Sequence, residues 1–111
     1  MVMIMIMRVD ETSAARSLAA LGHEARIKVF RLLVRAGEEG LNVGDIGCHL
    51  GLPASTLAHH LSTLVQGGLV IQERRGREII SRADYAATTA LLSFLTDECC
   101  VGVTLVEGAV A

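Results

Sequence analysis

The sequence lacks a long apolar run. Its longest uninterrupted one covers residues 1–7, whereas a membrane-spanning helix needs about 18 or more apolar residues. Arg8 follows this run, although a secretory signal peptide carries its positive charge before the apolar part, and no small-residue cleavage site is present. We therefore expect a cytoplasmic protein with no membrane partner.

Cysteine is scarce and odd in number, because the chain has only Cys48 and the neighbouring Cys99 and Cys100. An odd count that includes two adjacent residues argues against the disulfide framework of small secreted domains. Reduced thiols of this kind are inert core residues, metal ligands or sensors, and the sequence leaves these alternatives open.

Sequence patterns of enzymes are also lacking. There is no Cys-x-x-Cys, no glycine-rich phosphate loop and no base placed near a nucleophile. The 111 residues are too few for a two-domain enzyme, and a composition that is 51% hydrophobic and 20% charged excludes a disordered chain. We expect one non-enzymatic domain over residues 1–111. Its mean hydropathy of +0.49 indicates surplus apolar surface that lies in a subunit interface.

Charge is unevenly distributed, although the net charge is only −2. Residues 23–82 carry eight basic and six acidic side chains, whereas residues 83–111 carry four acidic and no basic ones. The basic excess includes Arg74, Arg75 and Arg77. A short basic cluster is typical of a solvated loop, and it indicates nucleic acid only in a suitable structural context.

Glycines divide the chain into segments with helical spacing of apolar residues. Asp10 or Thr12 is a suitable N-cap for a first helix over residues 8–22, and the last helix is predicted over residues 83–100. A second helix is predicted over residues 23–35. The side chains expected to point toward the core are Ile27, Phe30, Leu33 and Val34.

The middle of the chain predicts a DNA-binding architecture. Residues 43–66 form a short helix, a turn at Gly51-Leu52-Pro53 and a longer helix, which is the order of a helix-turn-helix. Residues 69–82 hold β-branched residues on both sides of a tight Arg75-Gly76 turn and predict a hairpin. The expected fold class is mainly α with a small β-hairpin, a winged helix-turn-helix whose hairpin is the wing.

The fourth helix, residues 53–66, has two chemically different faces. Its apolar face consists of Leu57, His60, Leu61 and Leu64, so His60 is interpreted as a core or helix-orienting residue. His59 diverges from it by about 100°, which argues against a metal site between them. The outer face suits contacts with bases and phosphates, although an ordinary solvated surface is the alternative. The predicted DNA-binding residues are Ser55, Thr56, Ala58, His59, Ser62 and Gln66, with Arg74, Arg75 and Arg77 in the wing.

Three segments resemble the ArsR/SmtB family of winged-helix repressors: residues 20–33 (ALGHEARIKVFRLL), 52–61 (LPASTLAHHL) and 68–70 (GLV). The similarity covers roughly residues 15–98. It implies a homodimer joined by the first and last helices, which binds operator DNA near its own promoter and releases it when an inducer binds. The two-fold symmetry of such a dimer predicts an imperfectly palindromic operator.

The resemblance also limits the inducer. Zinc sensors of the family carry histidine ligands on the last helix, which has no histidine here. The thiol pair of arsenic and cadmium sensors at the start of the third helix is also missing, because residues 41–47 contain no cysteine. Other arsenic-responsive members carry a vicinal pair near the end of the last helix, as Cys99 and Cys100 do here.

The vicinal pair predicts a site for As(III) or Sb(III), and no other cofactor is required. Soft thiolates select soft acceptors, and one arsenic atom bridges two neighbouring sulfurs without the strain of a disulfide between them. Cys99 is expected to continue the row of Leu91 and Leu95 toward the dimer interface, with its pKa raised by acidic neighbours and the helix end.

As(III) prefers three sulfur ligands, and the vicinal pair provides two. The one candidate in the protein for the third ligand is Cys48, from the same or the opposite subunit. The alternative is that Cys48 is a small buried hydrophobic residue. Without it, the pair suits a trivalent organoarsenical or As(III) completed by an outside thiol. A thiol-redox or persulfide signal in a repressor of the same fold stays open, as does a winged helix used only for protein contacts.

Overall fold

A computed structural model describes residues 9–105, which form five α-helices and a three-stranded antiparallel sheet. The predicted fold class, mainly α with a small hairpin, is confirmed. The apolar run at residues 1–7 and the last six residues of the tail lie outside the described part. The elements are α1 (Glu11–Leu21), α2 (Glu24–Ala36), β1 (Leu41–Asn42), α3 (Val43–Leu50), α4 (Ala54–Gln66), β2 (Val70–Arg75), β3 (Glu78–Ala83) and α5 (Tyr85–Thr96).

Polar side chains fix where several helices begin. Asp10 accepts a hydrogen bond from the Ser13 amide and forms a capping box at the start of α1. Asn42 and Asp84 cap α3 and α5 in the same way, by accepting from backbone amides of the first turn. Each cap satisfies an amide that the helix itself leaves without a partner.

The sheet has the strand order β1-β3-β2, and its first strand is a finding that the sequence does not predict. Arg75 pairs with Glu78 in the hairpin register. The turn is therefore Gly76-Arg77, and the predicted Arg75-Gly76 turn is wrong by one residue. Gly40 allows the chain to enter β1, because a Cβ at this position would lie 2.5 Å from the Ser81 carbonyl oxygen.

The core lies between α2, α3, α4 and the base of the hairpin, and the predicted apolar face of α4 is confirmed. Leu57, Leu61 and Leu64 are at most 1% exposed. The predicted inward face of α2 is partly wrong, because Ile27 and Val34 are 44% and 42% exposed. Apolar residues occupy both sides of α2, and the inner side is made by Val29, Phe30, Leu32 and Leu33.

The last helix ends at Thr96, before both cysteines, so the predicted extent to residue 100 is wrong. Glu98 and Cys100 have φ values of 60° and 65°, in the left-handed region that a helix cannot use. The Thr96 hydroxyl donates to the Leu92 carbonyl, and the C-cap residue Asp97 favours turns over helix. Cys99 therefore does not continue the row of Leu91 and Leu95.

α1 lies tightly against the C-terminal end of α4. A Cβ at Gly67 would lie 2.5 Å from the Ala20 Cβ, so only glycine allows this approach. The Ser17 hydroxyl donates to the Gly67 carbonyl oxygen at 2.7 Å. These contacts join the first helix to the longer helix of the helix-turn-helix.

Across residues 9–105, each helix is too short or too polar to cross a lipid bilayer.

Candidate nucleic-acid interface and thiol pair

The turn between α3 and α4 presents the outer face of α4 to solvent. Gly51 adopts the left-handed conformation at the end of α3, and Pro53 precedes the first turn of α4. Burial of the leucines on one side of α4 leaves the other side free. All six residues predicted on this side are exposed, namely Ser55, Thr56, Ala58, His59, Ser62 and Gln66.

Five of these residues lie on one stripe, whereas Thr56 is rotated by about 100° from Ser55 and lies at its edge. The Gln66 amide nitrogen is 3.5 Å from the Ser62 hydroxyl, one turn away. The stripe has donors and acceptors but no large side chain. It can therefore approach the edges of bases closely.

His60 is buried on the opposite side of α4, as expected for a core residue. Its Nδ1 atom accepts a hydrogen bond from Arg26 Nη1 at 3.3 Å, and its ring centroid is 4.8 Å from that of His23. Arg26 Nε also donates to the Ala20 carbonyl oxygen at the end of α1. Arg26 thus links three helices. The sequence signal for this role of Arg26 is its position one helical turn before Phe30, which is buried.

The surroundings of His60 lower its pKa. Burial disfavours the charged imidazole most, and nearby His23, Arg26 and His59 add to the effect. The hydrogen bond from Arg26 also requires an unprotonated Nδ1 atom. His60 is therefore neutral in the folded chain near pH 7.

This lowered pKa makes stability depend on pH. The unfolded chain binds a proton at His60 near pH 6.5, whereas the folded chain binds it only at lower pH. The free energy of unfolding should thus fall as the pH decreases below about 6.5. Urea unfolding at pH 7.5, 6.5 and 5.5 measures this, with His60→Gln as the comparison. An equal pH dependence in both proteins would contradict the assignment to His60.

Two of the four arginines in the wing, Arg75 and Arg82, form ion pairs. Arg75 lies 2.6 Å from Glu73, and Arg82 lies 3.4 Å from the same carboxylate. These arginines lower the pKa of Glu73, mainly through the hydrogen bond from Arg75. Within the part of the chain that the structure describes, Arg74 and Arg77 are exposed and form no ion pair.

Cys99 and Cys100 are exposed, and their sulfur atoms are 3.0 Å apart. The hydrogen bond between the thiols raises the pKa of Cys99, and desolvation adds to the shift. The direction agrees with the sequence-based expectation. The causes differ from the predicted ones, since the neighbouring thiol and desolvation, and not the acidic side chains, account for the shift.

Cys48 is exposed on α3, so its interpretation as a buried hydrophobic residue is wrong. Among residues 9–105, no three histidine, cysteine or acidic side chains come together in an arrangement that could hold a metal ion. One chain therefore brings together two sulfurs. A third ligand would have to come from a second subunit or from solution.

Comparison with known proteins agrees with this architecture. A family model described as "Helix-turn-helix domain" matches residues 21–73. The "Putative arsenical resistance operon repressor ArsR" of Halobacterium salinarum is 40% identical over 60 residues, which are 54% of this chain and 46% of that protein. The matched part thus spans less than half the length of that relative.

Two solved structures have the same fold over most of the chain. An "ArsR-like Transcriptional Regulator" from Rhodococcus sp. RHA1 has a TM-score of 0.68 and 28% identity, and the match covers 76% of each chain. The homodimeric winged helix-turn-helix DNA-binding domain of Mb0332 from Mycobacterium bovis is described as "a possible ArsR-family transcriptional regulator". It has a TM-score of 0.63 and 30% identity, with 78% of this chain and 81% of that chain covered.

Proposed function

The chain belongs to the ArsR family of DNA-binding winged-helix transcriptional regulators, and we propose that it is a homodimeric repressor released from its operator by trivalent arsenic. The observation that carries the proposal is the separation of two surfaces. The polar face of α4 is exposed, as are Arg74 and Arg77 of the wing, whereas an exposed pair of thiols follows α5.

In the proposed complex, α4 enters the major groove and the wing contacts the backbone. The exposed side chains of Ser55, His59 and Ser62 would meet base edges, and the exposed Arg74 and Arg77 would provide charges for phosphates. A two-fold dimer would place two copies of α4 about 34–36 Å apart, which is one turn of DNA. The operator is therefore expected to contain two inverted half-sites.

The dimer is proposed to form through α1 and α5. Leu92 and Leu95 on α5 are 59% and 51% exposed, and Leu18 on α1 is also exposed. Side chains of this size gain about 1.5–3 kcal/mol each when they are fully buried. The domain from M. bovis is homodimeric, which supports a dimer without indicating the helices that join it.

Trivalent arsenic is the proposed ligand of Cys99 and Cys100. An organoarsenical RAs(OH)₂ reacts with two thiols to form two As–S bonds and release two water molecules, and arsenic remains trivalent. Two sulfurs 3.0 Å apart in one chain match this two-bond product. Inorganic As(III) or Sb(III) would need a further thiol, from Cys48 of a second subunit or from solution.

A thiol-redox signal would use the same two residues. Oxidation proceeds through the thiolate, and the hydrogen bond from Cys100 raises the pKa of Cys99, which slows attack on peroxide. The spacing of 3.0 Å between the two sulfurs suits one arsenic atom that bonds to both, so we favour arsenic over peroxide as the signal.

The path from the thiols to α4 is proposed to run through the helices near the dimer interface. A cavity of about 380 Å³ lies where α1, α5 and the end of α4 meet, which leaves room for α5 to shift. α1 in turn contacts α4 through Ser17 and Ala20. An inducer must favour the form that does not bind DNA by about 1–3 kcal/mol.

Fluorescence anisotropy of the labelled promoter fragment tests the proposal directly. The reduced protein is titrated onto the DNA, and phenylarsine oxide, arsenite or hydrogen peroxide is then added in parallel. We expect binding of a dimer and its release by the arsenical. Release by peroxide alone would identify the redox alternative. If the protein bound no promoter duplex, the proposal that it is a repressor would be refuted.

Replacing His59 or Ser62 by alanine should change which half-site is preferred. A side chain that contacts a base edge contributes about 1–3 kcal/mol of discrimination, so the preference at one base pair should change by about fivefold or more. Selection of binding sites from a random duplex library measures this. Thr12→Ala on the exposed side of α1 is the control, and an unchanged preference in both α4 variants would contradict the proposed interface.

A further inference from the structure

A groove of about 400 Å³ lies between α2 and α3, outside the proposed interface and the thiol pair. Its apolar floor is made by Leu32, Val34 and Leu50. Small-molecule sites in proteins typically have volumes of about 300–1,000 Å³, apolar linings and a few polar groups that fix orientation. The groove has this size and this composition.

The rim of the groove is positively charged. Lys28, Arg31 and Arg35 line it from α2, and His49 lines it from α3. As far as the structure describes the chain, none of the three cations forms an ion pair or a hydrogen bond to another side chain. They follow one another at spacings of three and four residues, where like charges repel on a helix. An anion in the groove would relieve this repulsion.

The position of the groove separates it from DNA binding. None of its lining residues belongs to α4, to the wing strands or to the proposed dimer helices α1 and α5. α4 packs onto α2 and α3 through its buried leucine face, so its exposed polar stripe points away from both helices. The three cations are therefore not part of the surface proposed for the operator.

We propose that this groove binds a small amphiphilic organic anion, which has one carboxylate or sulfonate and an apolar body. The guanidinium groups of Arg31 and Arg35 can each hold a carboxylate through paired hydrogen bonds. The apolar body would cover Leu32 and Leu50, which lie between the two helices. Because α3 belongs to the helix-turn-helix, such a ligand would contact the DNA-binding unit from the side opposite to α4.

NMR titration of the ¹⁵N-labelled full chain tests this site without DNA or arsenic. The probes are 2-naphthoate, the uncharged 2-naphthamide and acetate, which separate the contributions of charge and apolar body. We expect 2-naphthoate to shift the amides of residues 28–35 and 49–50. It should bind at least about tenfold more tightly than either other probe.

The double variant Arg31→Ala/Arg35→Ala should weaken 2-naphthoate binding by about tenfold or more, whereas Arg31→Lys/Arg35→Lys should retain most of it. The charge-matched control Arg74→Ala/Arg77→Ala, on the wing, should bind like the wild-type chain. The proposal would be overturned if 2-naphthamide bound as tightly as 2-naphthoate, or if the shifted signals came mainly from α1 and α5. Unaltered affinity in the alanine double variant would overturn it as well. A short DNA duplex that shifts the same amides would instead assign the groove to phosphate contacts.

This test is independent of the proposed arsenic response. Release of DNA by phenylarsine oxide can fail while 2-naphthoate still binds between α2 and α3, and the reverse outcome is equally distinguishable.

Discussion

Replacing Cys99 or Cys100 by serine is expected to abolish the response to phenylarsine oxide and to leave operator binding intact. Both side chains are exposed and follow the end of α5, so they belong neither to α4 nor to the wing. An exposed substitution of this kind changes stability by no more than about 0.5 kcal/mol, so DNA affinity should stay within about twofold. In the wild-type chain, the arsenical should weaken DNA binding by about 5- to 150-fold.

Cys48→Ser is the matched control for this experiment, because Cys48 is also exposed but lies on α3. It should retain release by phenylarsine oxide, which needs two sulfurs. Loss of the arsenite response alone in this variant would identify Cys48 as the third ligand. If both serine variants of the vicinal pair still respond to the organoarsenical, the pair is not the sensor.

Removing Arg74 and Arg77 together should greatly weaken DNA binding and reduce its salt dependence. Both arginines are exposed and form no ion pair among residues 9–105, so their charges are available to phosphates. A dimer would lose four phosphate contacts, which lowers the slope of log K against log salt by about 3.6. Between 50 and 200 mM salt, the wild-type chain should therefore lose about 100-fold more affinity than Arg74→Ala/Arg77→Ala.

Two controls separate local contact from total charge. Arg31→Ala/Arg35→Ala removes the same charge from the groove between α2 and α3, and its salt slope should be close to that of the wild-type chain. Arg75→Ala should have a smaller effect than Arg74→Ala, because Arg75 already pairs with Glu73. Equal slopes for the two double variants would show that only net charge matters, which contradicts a specific role for the wing.

Periodicity predicts the DNA-binding half of the molecule well. The bounds of α3 agree with the prediction, α4 begins one residue later than predicted, and its leucine face is buried. Here several local signals coincide: the cap at Asn42, the left-handed Gly51, the helix-initiating Pro53 and the regular leucine spacing. One helical face is clearly apolar in this region, so the pattern allows a single solution.

The end of α5 and the buried face of α2 are predicted less well than the helix-turn-helix. In both places the structure depends on something that the spacing of apolar residues does not show, either a backbone conformation or a partner on another element. The helical pattern of α5 continues past Thr96, but the left-handed backbone at Glu98 and Cys100 is a local conformation that periodicity does not show. On α2, Ile27 and Val34 are apolar yet exposed, since the partners that choose the buried face lie on other elements. The pair of Arg75 with Glu73 likewise depends on side-chain conformations within the strand.

The close packing of Gly67 on Ala20 has a consequence for the geometry of the proposed repressor. Since α1 is fastened to the end of α4 by this contact and by the Ser17 hydroxyl, these two helices of a subunit are expected to turn together as a rigid body when α5 shifts. Any rotation between the subunits would then alter the distance and angle between the two copies of α4. Induction would thus require no unfolding of either DNA-binding unit. Two copies of α4 whose separation no longer matches one turn of the double helix cannot both enter the major groove, and this is enough to release the DNA.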